Sequence, residues 1–586
     1  MKQYSLLLSL SFCWLIAKTA AQPSGMNLET SNAEWQKAAG SIQVLKNDEN
    51  LLPFKDLGCH TIYWHTFGLE AGNAFEETME KYATRPTLPA IGGPGEVHVF
   101  ALNAAAYKCG NPGVAAFVTQ LDSCLRSSKV VAVIFGDTAV LRQLPSCQRA
   151  QAWIAAPGPG DTDLSLAAQT LFGGTPGPHH LRLGYASPAA VGVDAQLLGD
   201  SITAIVAEGI RAHAYPGAQV LVAKDGQVIF HRAYGFHTYD SLQAVRTTDI
   251  YDFASVTKVT STLPALMKFY GEGRFDLDAP LKKYLPFFKR GNKANITYRE
   301  FLAHYGRLKP SIVFWKRAQK RNGKWKCRSF KNHYSRRYSV RITDSLYLFT
   351  NYKKKILKGI RSQPLNEERA YVYSDLSFIL YPQVVERLSG QPLEAFLKDT
   401  FYRPLGANTL TYNPLRFFPK ERIVPTERDT FFRKIQVHGT VHDETAAMLG
   451  GVSGHAGLFG SANDLAKLFQ MYMNFGKYGG ERFIAENAVR EFTQCQYCSE
   501  GNRRGLGFDK PPIEYVAGES YVARSASPAS FGHSGYTGTF VWADPAQNLL
   551  VIFFSNRVYP GRSSRGLYEL NIRPRLHQAI YDAIRE

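Results

Sequence analysis

Cysteine is scarce in this chain: eight in 586 residues, and one of them, Cys13, falls inside an apolar run near the start. The other seven, Cys59, Cys109, Cys124, Cys147, Cys327, Cys495 and Cys498, are an odd number, so complete internal pairing is impossible. So low a density in a large chain excludes a disulfide scaffold. Cys495 and Cys498 form a lone Cys-x-x-Cys with no second pair to complete the roughly four ligands of a structural zinc site, and they read as ordinary cysteines able to bridge. Beyond the start, no stretch approaches the ~18 consecutive apolar residues of a membrane span. No internal repeat is visible. With 49 glycines, 30 prolines, 45% hydrophobic and 13% aromatic residues, the composition excludes bulk disorder and collagen-like or fibrous structure.

The start itself reads as a targeting segment: Lys2, an apolar run from Leu6 to Ile16, then Thr19, Ala20 and Ala21 as a cleavage site. A signal peptide over 1–21 and a mature start near Gln22 are expected, which implies an exported protein, periplasmic or secreted. Phe12 before Cys13 fits a lipoprotein signal poorly.

Acidic residues are what the stretch from Arg307 to Arg361 lacks. It holds 18 lysines and arginines against Asp344 alone, so it carries nearly all of the net charge of +19. Trp315, Trp325, Phe330, Tyr334, Tyr338 and Tyr352 are interleaved with these cations, a mixture that can suit nucleic acid. For an exported chain nucleic acid is the weaker candidate partner, and an anionic envelope polymer or lipid headgroups fit better. The plain alternative is a solvated basic insertion with no specific partner.

A length of 586 residues calls for more than one domain. Residues 27–185 alternate helical and strand patterns: Glu34 to Leu45 (helix into strand), Glu96 to Leu102 (strand), Val114 to Leu125 (helix) and Val130 to Phe135 (strand). This is an α/β sandwich pattern, closed by Pro/Gly clusters at 157–160 and 173–178 and a linker over 186–191. From 192 to 586 the pattern changes. A helix from Asp194 to His213 precedes two alternating runs about Asp225-Gly226, a hairpin turn, and a second hairpin spans Gly538 to Phe554 before a closing helix from Leu567 to Arg585. Strands at both ends with helices between predict an α+β domain, one antiparallel sheet covered by helices, with 307–361 as its insertion.

The sharpest chemical signal is Phe253-Ala-Ser-Val-Thr-Lys258. Helical spacing of Val256, Val259, Leu263, Leu266 and Met267 puts Ser255 at a helix start with Lys258 one turn on, on the same face. A serine hydroxyl needs a neighbour to take its proton, and N–H groups at a helix start can stabilise charge on an attacked carbonyl. Ser-x-x-Lys alone is weak. Tyr371-Val-Tyr-Ser-Asp375 and Phe531-Gly-His-Ser-Gly-Tyr-Thr-Gly538 follow in order. His438, His442, Asp443 and His455 can be read as metal ligands, but the glycines around them favour a loop beside the site.

Together, these three segments resemble the Ser-x-x-Lys, Tyr-x-Asn and Lys-Thr-Gly elements of class C β-lactamases, penicillin-binding proteins and related serine esterases. The resemblance covers about 190–586 and includes Gly439 to Glu444 and Gly450 to Phe459. It implies a β-lactamase-like domain on which Ser255 is acylated, Lys258 lowers its proton affinity, Tyr373 is the general base and His533 takes the place of the usual lysine. Asp375 stands where asparagine is usual. Ser534, Gly535 and Tyr536 would hold substrate, with Ser255 and Tyr536 N–H groups as the oxyanion hole. His304-Tyr-Gly-Arg-Leu308 departs from the usual His-x-Ser-Gly-Leu. Ser41 to Pro53 with Ala168 to Gly174 resembles the C-terminal α/β domain of family 3 glycoside hydrolases, whose nucleophile lies on a preceding (β/α)₈ barrel that needs ~200 residues or more. Too few residues precede Asn27 for that barrel, so glycosidase activity is not expected.

The expectation is therefore an exported serine hydrolase that forms an acyl-enzyme, without metal or organic cofactor. Its substrates would be small molecules or peptidoglycan-derived D-amino-acid peptides, esters or β-lactams. The alternative is an inactive envelope-binding or scaffold protein that keeps the fold. A histidine near its ordinary pKa offers no permanent charge for a drug's carboxylate, which weighs against penicillin hydrolysis.

Overall fold

A computed structural model describes residues 32–86, 95–108, 113–175 and 181–585. The leader-like start with Cys13, and Cys109, lie outside the described residues.

In the first unit, β1 (Gln43–Asn47), β2 (Thr61–Phe67), β3 (Glu96–Asn103), β4 (Lys129–Phe135) and β5 (Ala152–Ala156) form one sheet in the order β1-β5-β4-β3-β2. Strands β2 to β5 run parallel and β1 is antiparallel at the edge. Continuous apolar runs such as Val130 to Phe135 arise because both faces are covered. Val97, Val99, Val131 and Val133 share a cluster with Phe75, Met79, Leu164 and Leu171 of the helices Ala74–Tyr82 and Asp161–Phe172. Phe100, Leu102, Ala132 and Ile134 face Phe117 and Leu121 of the helix Gly113–Cys124.

The second unit is built on β6 (Gly184–Tyr185), β7 (Gly217–Lys224), β8 (Gln227–Gly235), β9 (Phe531–Ser534), β10 (Phe540–Asp544) and β11 (Leu549–Ser555), in the order β9-β10-β11-β7-β8-β6. All pairings are antiparallel except β6 with β8. Asp225 and Gly226, at φ 51° and 75°, make the tight β7–β8 hairpin that their sequence predicts. Val220, Val222, Val551 and Phe553 pack with Ile202, Val206, Leu576 and Ile580 of the helices Ala195–Arg211 and Ile572–Asp582. The alternate residues Leu221, Leu550, Ile552 and Phe554 face the large central core. The chain is thus multidomain, an α/β sandwich followed by an α+β unit. The closing helix is in two pieces, Gly566–Glu569 and Ile572–Asp582, broken at Asn571, whose φ is 49°.

A seam joins the units. Gly184–Tyr185, counted above with the first unit, is the edge strand of the second sheet. Arg182 is buried and donates to the Phe54 and Phe172 carbonyls at 2.6 and 3.0 Å, with Tyr478 of the second unit beneath its guanidinium. Tyr185 OH donates to Asn463 Oδ1 (2.6 Å), and Asn463 Nδ2 donates to Lys81 O (3.0 Å).

The basic insertion is folded: strands Phe330–Lys331, Leu346–Leu348 and Val340–Thr343 form a small sheet beside the helix Tyr352–Ser362. Trp315 and Phe330 dock on Phe432 at ring distances of 5.4 and 5.7 Å.

Candidate active site

Ser255 owes its position to a strained turn. Buried Asp252 accepts the Ala254 N–H at 2.8 Å and the His442 N–H at 2.6 Å, and Ala254 is held at φ 45°, a region costly for a residue with a Cβ. The sequence predicts one regular helix here. The chain instead forms a 3₁₀ turn at Ala254–Val256, a π turn at Lys258–Thr262 and then the helix Leu263–Gly271. Mid-helix turns of this kind mark backbone held by its surroundings rather than by propensity.

Lys258 is fully buried, and its ammonium meets three acceptors: Ser255 Oγ at 2.9 Å, Asp375 Oδ1 at 2.6 Å and His455 O at 3.3 Å. Tyr373 OH donates to Ser255 Oγ, also at 2.9 Å. The serine oxygen therefore accepts from both neighbours, and Ser255 stays half-buried at the cleft wall. Burial works to strip the proton from Lys258, but the Asp375 carboxylate and Tyr373 outweigh it and hold its pKa above the ordinary lysine value. Burial also raises the Tyr373 phenol, with Lys258 opposing and Asp375 reinforcing. At rest the pair is an ammonium and a neutral phenol.

Tyr373 and Asp375 are held by the start of the basic insertion. Ser374 Oγ donates to Lys309 O (2.7 Å), Asp375 N–H to Pro310 O (3.0 Å) and Ser374 N–H to His304 Nδ1 (3.1 Å). The His304 ring packs 4.6 Å from that of Tyr373.

His533, expected to replace a cationic lysine, is buried and neutral. Its Nδ1–H donates to Ser534 O at 2.8 Å, and its Nε2 has no protein partner among the described residues. Burial and the nearby Arg504 and Lys258 push its pKa down to about 3. The permanent cation comes from Arg504, which the sequence reading missed. It is fully buried, pairs with Asp509 Oδ2 (3.1 Å), donates to Gly507 O (3.0 Å) and stands 5.7 Å from the Tyr373 ring centre. No motif surrounds Arg504; only the fold brings it to the cleft.

The end of β9 is stapled to the Ser255 turn. Thr537 Oγ1 donates to Asp252 O (2.7 Å) and Thr539 Oγ1 to Phe253 O (3.0 Å). Gly535 permits this approach, since a Cβ there would lie 2.1 Å from Thr539 Oγ1 and 2.5 Å from Phe253 O. Ser534, Gly535 and Tyr536 thus line the same cleft of about 660 Å³ as Ser255, Tyr373, Asp375 and His533. Arg573, from the closing helix, lines it too. It is buried, donates to Gly535 O and Thr539 O at 3.2 and 3.1 Å, and has no carboxylate within 4 Å among the described residues. Burial pushes its pKa down to about 10.

Residues 202–572 match the family model described as Beta-lactamase. The chain belongs to the beta-lactamase family. A protein of Escherichia coli (strain K12), provisionally named a D-alanyl-D-alanine carboxypeptidase, is 31% identical over 374 aligned residues, covering 58% of this chain and 79% of that protein. Among solved structures, EstCE1, a hydrolase with promiscuous acyltransferase activity, is similar with a TM-score of 0.48 and 18% identity over 65% of this chain and 99% of that one. A penicillin-binding protein homologue from Caulobacter crescentus gives a TM-score of 0.46 and 16% identity over 67% and 99%. This beta-lactamase-family chain is a serine hydrolase.

Its histidine-rich loop does not converge on one point. His438 bonds Ile423 O (2.6 Å), His442 bonds Glu427 (2.9 Å) and His455 bonds Asp443 (2.9 Å), and His438 and His442 lie in irregular backbone rather than on a helical turn. The ligand-like group among the described residues is in the first unit, where His65 Nε2 and His98 Nδ1 are 3.0 Å apart and Cys124 Sγ is within 4.8 Å. Those rings are nearly coplanar at 5.4 Å between centres, the in-line arrangement of an N–H···N bond. Cys495 and Cys498 are bridged. No described helix is long and apolar enough to cross a membrane.

Proposed function

We propose that this serine hydrolase cleaves the amide bond before a C-terminal D-amino acid in peptidoglycan-derived peptides, through an acyl-enzyme on Ser255. The observation that carries this reading is the Ser255 oxygen 2.9 Å from both Lys258 Nζ and Tyr373 OH at the wall of an open cleft. Loss of one proton from the Lys258–Tyr373 pair leaves a base in contact with the serine hydroxyl. Tyr373 Oη takes the Ser255 proton as Oγ attacks the carbonyl carbon, then gives it to the departing amine nitrogen. In the second half, water attacks the ester carbon, its proton passes to Tyr373, and Ser255 Oγ leaves and is reprotonated. Lys258 remains an ammonium held by Asp375, stabilising the negative charge beside it. The Ser255 and Tyr536 N–H groups are the oxyanion donors.

Arg573 supports a carboxylate-bearing substrate, because a buried guanidinium with no acidic partner among the described residues gains most from an anion entering the cleft. The names of the carboxypeptidase relatives agree with such a peptide. Esters and β-lactams rank below it. The leader-like first 21 residues support a reaction outside the cytoplasm, where such peptides occur.

Intact-mass spectrometry with a fluorophosphonate tests the acyl-enzyme. A stoichiometric adduct is expected on the native chain and none on Ser255→Ala. D-alanine release from a peptide ending in D-Ala-D-Ala tests the substrate. An adduct on Ser255→Ala, or no adduct on folded native protein, would remove Ser255 from the chemistry.

A further inference from the structure

Nothing in the hydrolytic mechanism uses the charge of residues 307–361. Of the 18 cations there, 16 are exposed, all except Arg307 and Lys309. Among the described residues only two have a carboxylate within 4 Å: Arg341 beside Asp344, and Lys353 at 3.9 Å from Glu386. A solvated protein face normally mixes both signs. Here the positive charge is left almost uncompensated, and the fold holds it in place. Tyr352, Ile356 and Ile360 bury the apolar stripe of the helix Tyr352–Ser362, so Lys353, Lys354, Lys355, Lys358 and Arg361 point outward. Contacts between the cationic segments make the face continuous. Lys355 Nζ donates to Arg328 O (2.9 Å), Lys326 Nζ to Arg317 O (2.8 Å) and Arg317 Nη2 to Oε1 of Gln363, which caps the C-terminal end of the helix (3.1 Å).

The aromatic residues decide among the polyanions. Stacking of bases needs exposed rings, yet Trp315, Phe330 and Tyr352 are buried and Trp325 packs on Phe330 at 4.4 Å, leaving Tyr334 as the large exposed ring. Insertion into lipid needs an apolar edge, and the exposed apolar side chains here are limited to Val313 and Tyr334. The cations spread along the insertion rather than closing around one buried point, which suits a chain more than a small ligand.

We propose that the insertion is a docking face for a linear, water-soluble polyanion that carries neither bases nor lipid. Binding would be driven by release of the polymer's condensed counterions. It would not depend on Ser255.

The test uses the full chain and fluorescein-labelled long-chain polyphosphate, read by anisotropy from 50 to 200 mM salt. Affinity should fall linearly in a log–log plot. The triple variant Lys354→Glu, Lys355→Glu, Lys358→Glu alters only exposed positions. It should bind at least tenfold more weakly and flatten the slope by roughly 2–3, near the ~0.9 per contact of a condensed polyanion. An unchanged fluorophosphonate adduct on that variant shows that the fold is intact. No binding at 50 mM salt, or equal binding by the variant, overturns the proposal. So does tighter binding to oligothymidylate, which would mean nucleic-acid recognition, or to phosphatidylglycerol vesicles at equal phosphate, which would mean a membrane surface.

Discussion

Asp375 stands 2.6 Å from the Lys258 ammonium, and both groups that touch Ser255 feel its charge. In the proposed mechanism acylation needs the Lys258–Tyr373 pair one proton short, so the rate should rise with pH through the pair's pKa. A carboxylate beside two acids raises both of their pKa values; Asp375→Asn should therefore move the midpoint of the acylation profile to lower pH, by about one unit or more. Fluorophosphonate labelling rates from pH 6 to 10 would show it, and an unmoved midpoint would mean that Asp375 is uncoupled from the pair. His533 and Arg504 should separate in the same assay. His533 is neutral above about pH 3, so His533→Gln should leave the profile's shape intact, with no inflection near pH 6.5 in either protein. Arg504→Gln removes a cation beside Tyr373 and should push the midpoint upward. Ser255, Lys258, Tyr373 and Asp375 were legible because each sits in a short motif whose spacing reflects local geometry. Arg504 was not, because its role depends on meeting Tyr373 across more than a hundred residues.

At the level of elements, the site depends on β9 lying against the Ser255 turn. Gly535→Ala would drive a methyl group into Thr539 Oγ1 and the Phe253 carbonyl. Overpacking of that kind costs about 1–3 kcal/mol, and here the relief moves Tyr536 away from Ser255. Thermal unfolding should show the modest loss, while acylation falls by a hundredfold or more. Equal, small effects on both would mean that β9 can shift without consequence. Strands β3, β4, β7 and β8 could be read from apolar runs and the Asp-Gly turn. The strand β2 could not, because Thr61, His65 and Thr66 interrupt its apolar pattern and its neighbours in the sheet supply the order. The π turn after Ser255 was equally hidden, since helical periodicity continues through it.

Across the whole molecule, the two units share one central core and the Arg182 seam. Arg182→Ala would leave the Phe54 and Phe172 carbonyls without a charged donor inside that seam. Hydrogen bonds to charged groups contribute about 1.5–3 kcal/mol each, so a loss above 2 kcal/mol is expected in denaturant unfolding, read from fluorescence of both units. If only the first unit is destabilised, the seam does not couple them.

The amino-acid sequence by itself determined the β-lactamase-like class, and it pointed to two successive units and to Ser255, Lys258 and Tyr373, which the fold brings together. These rest on local periodicity and on motifs a few residues long. Tertiary structure alone decided that His533 is neutral, that Arg504 is a second cation beside Tyr373, that Arg573 is a cleft cation with no acid near it among the described residues, and that Trp315, Phe330 and Tyr352 of the basic insertion are buried. Each is a matter of burial and of charges brought together from distant positions, and desolvation and Coulomb terms follow distance in space rather than along the chain.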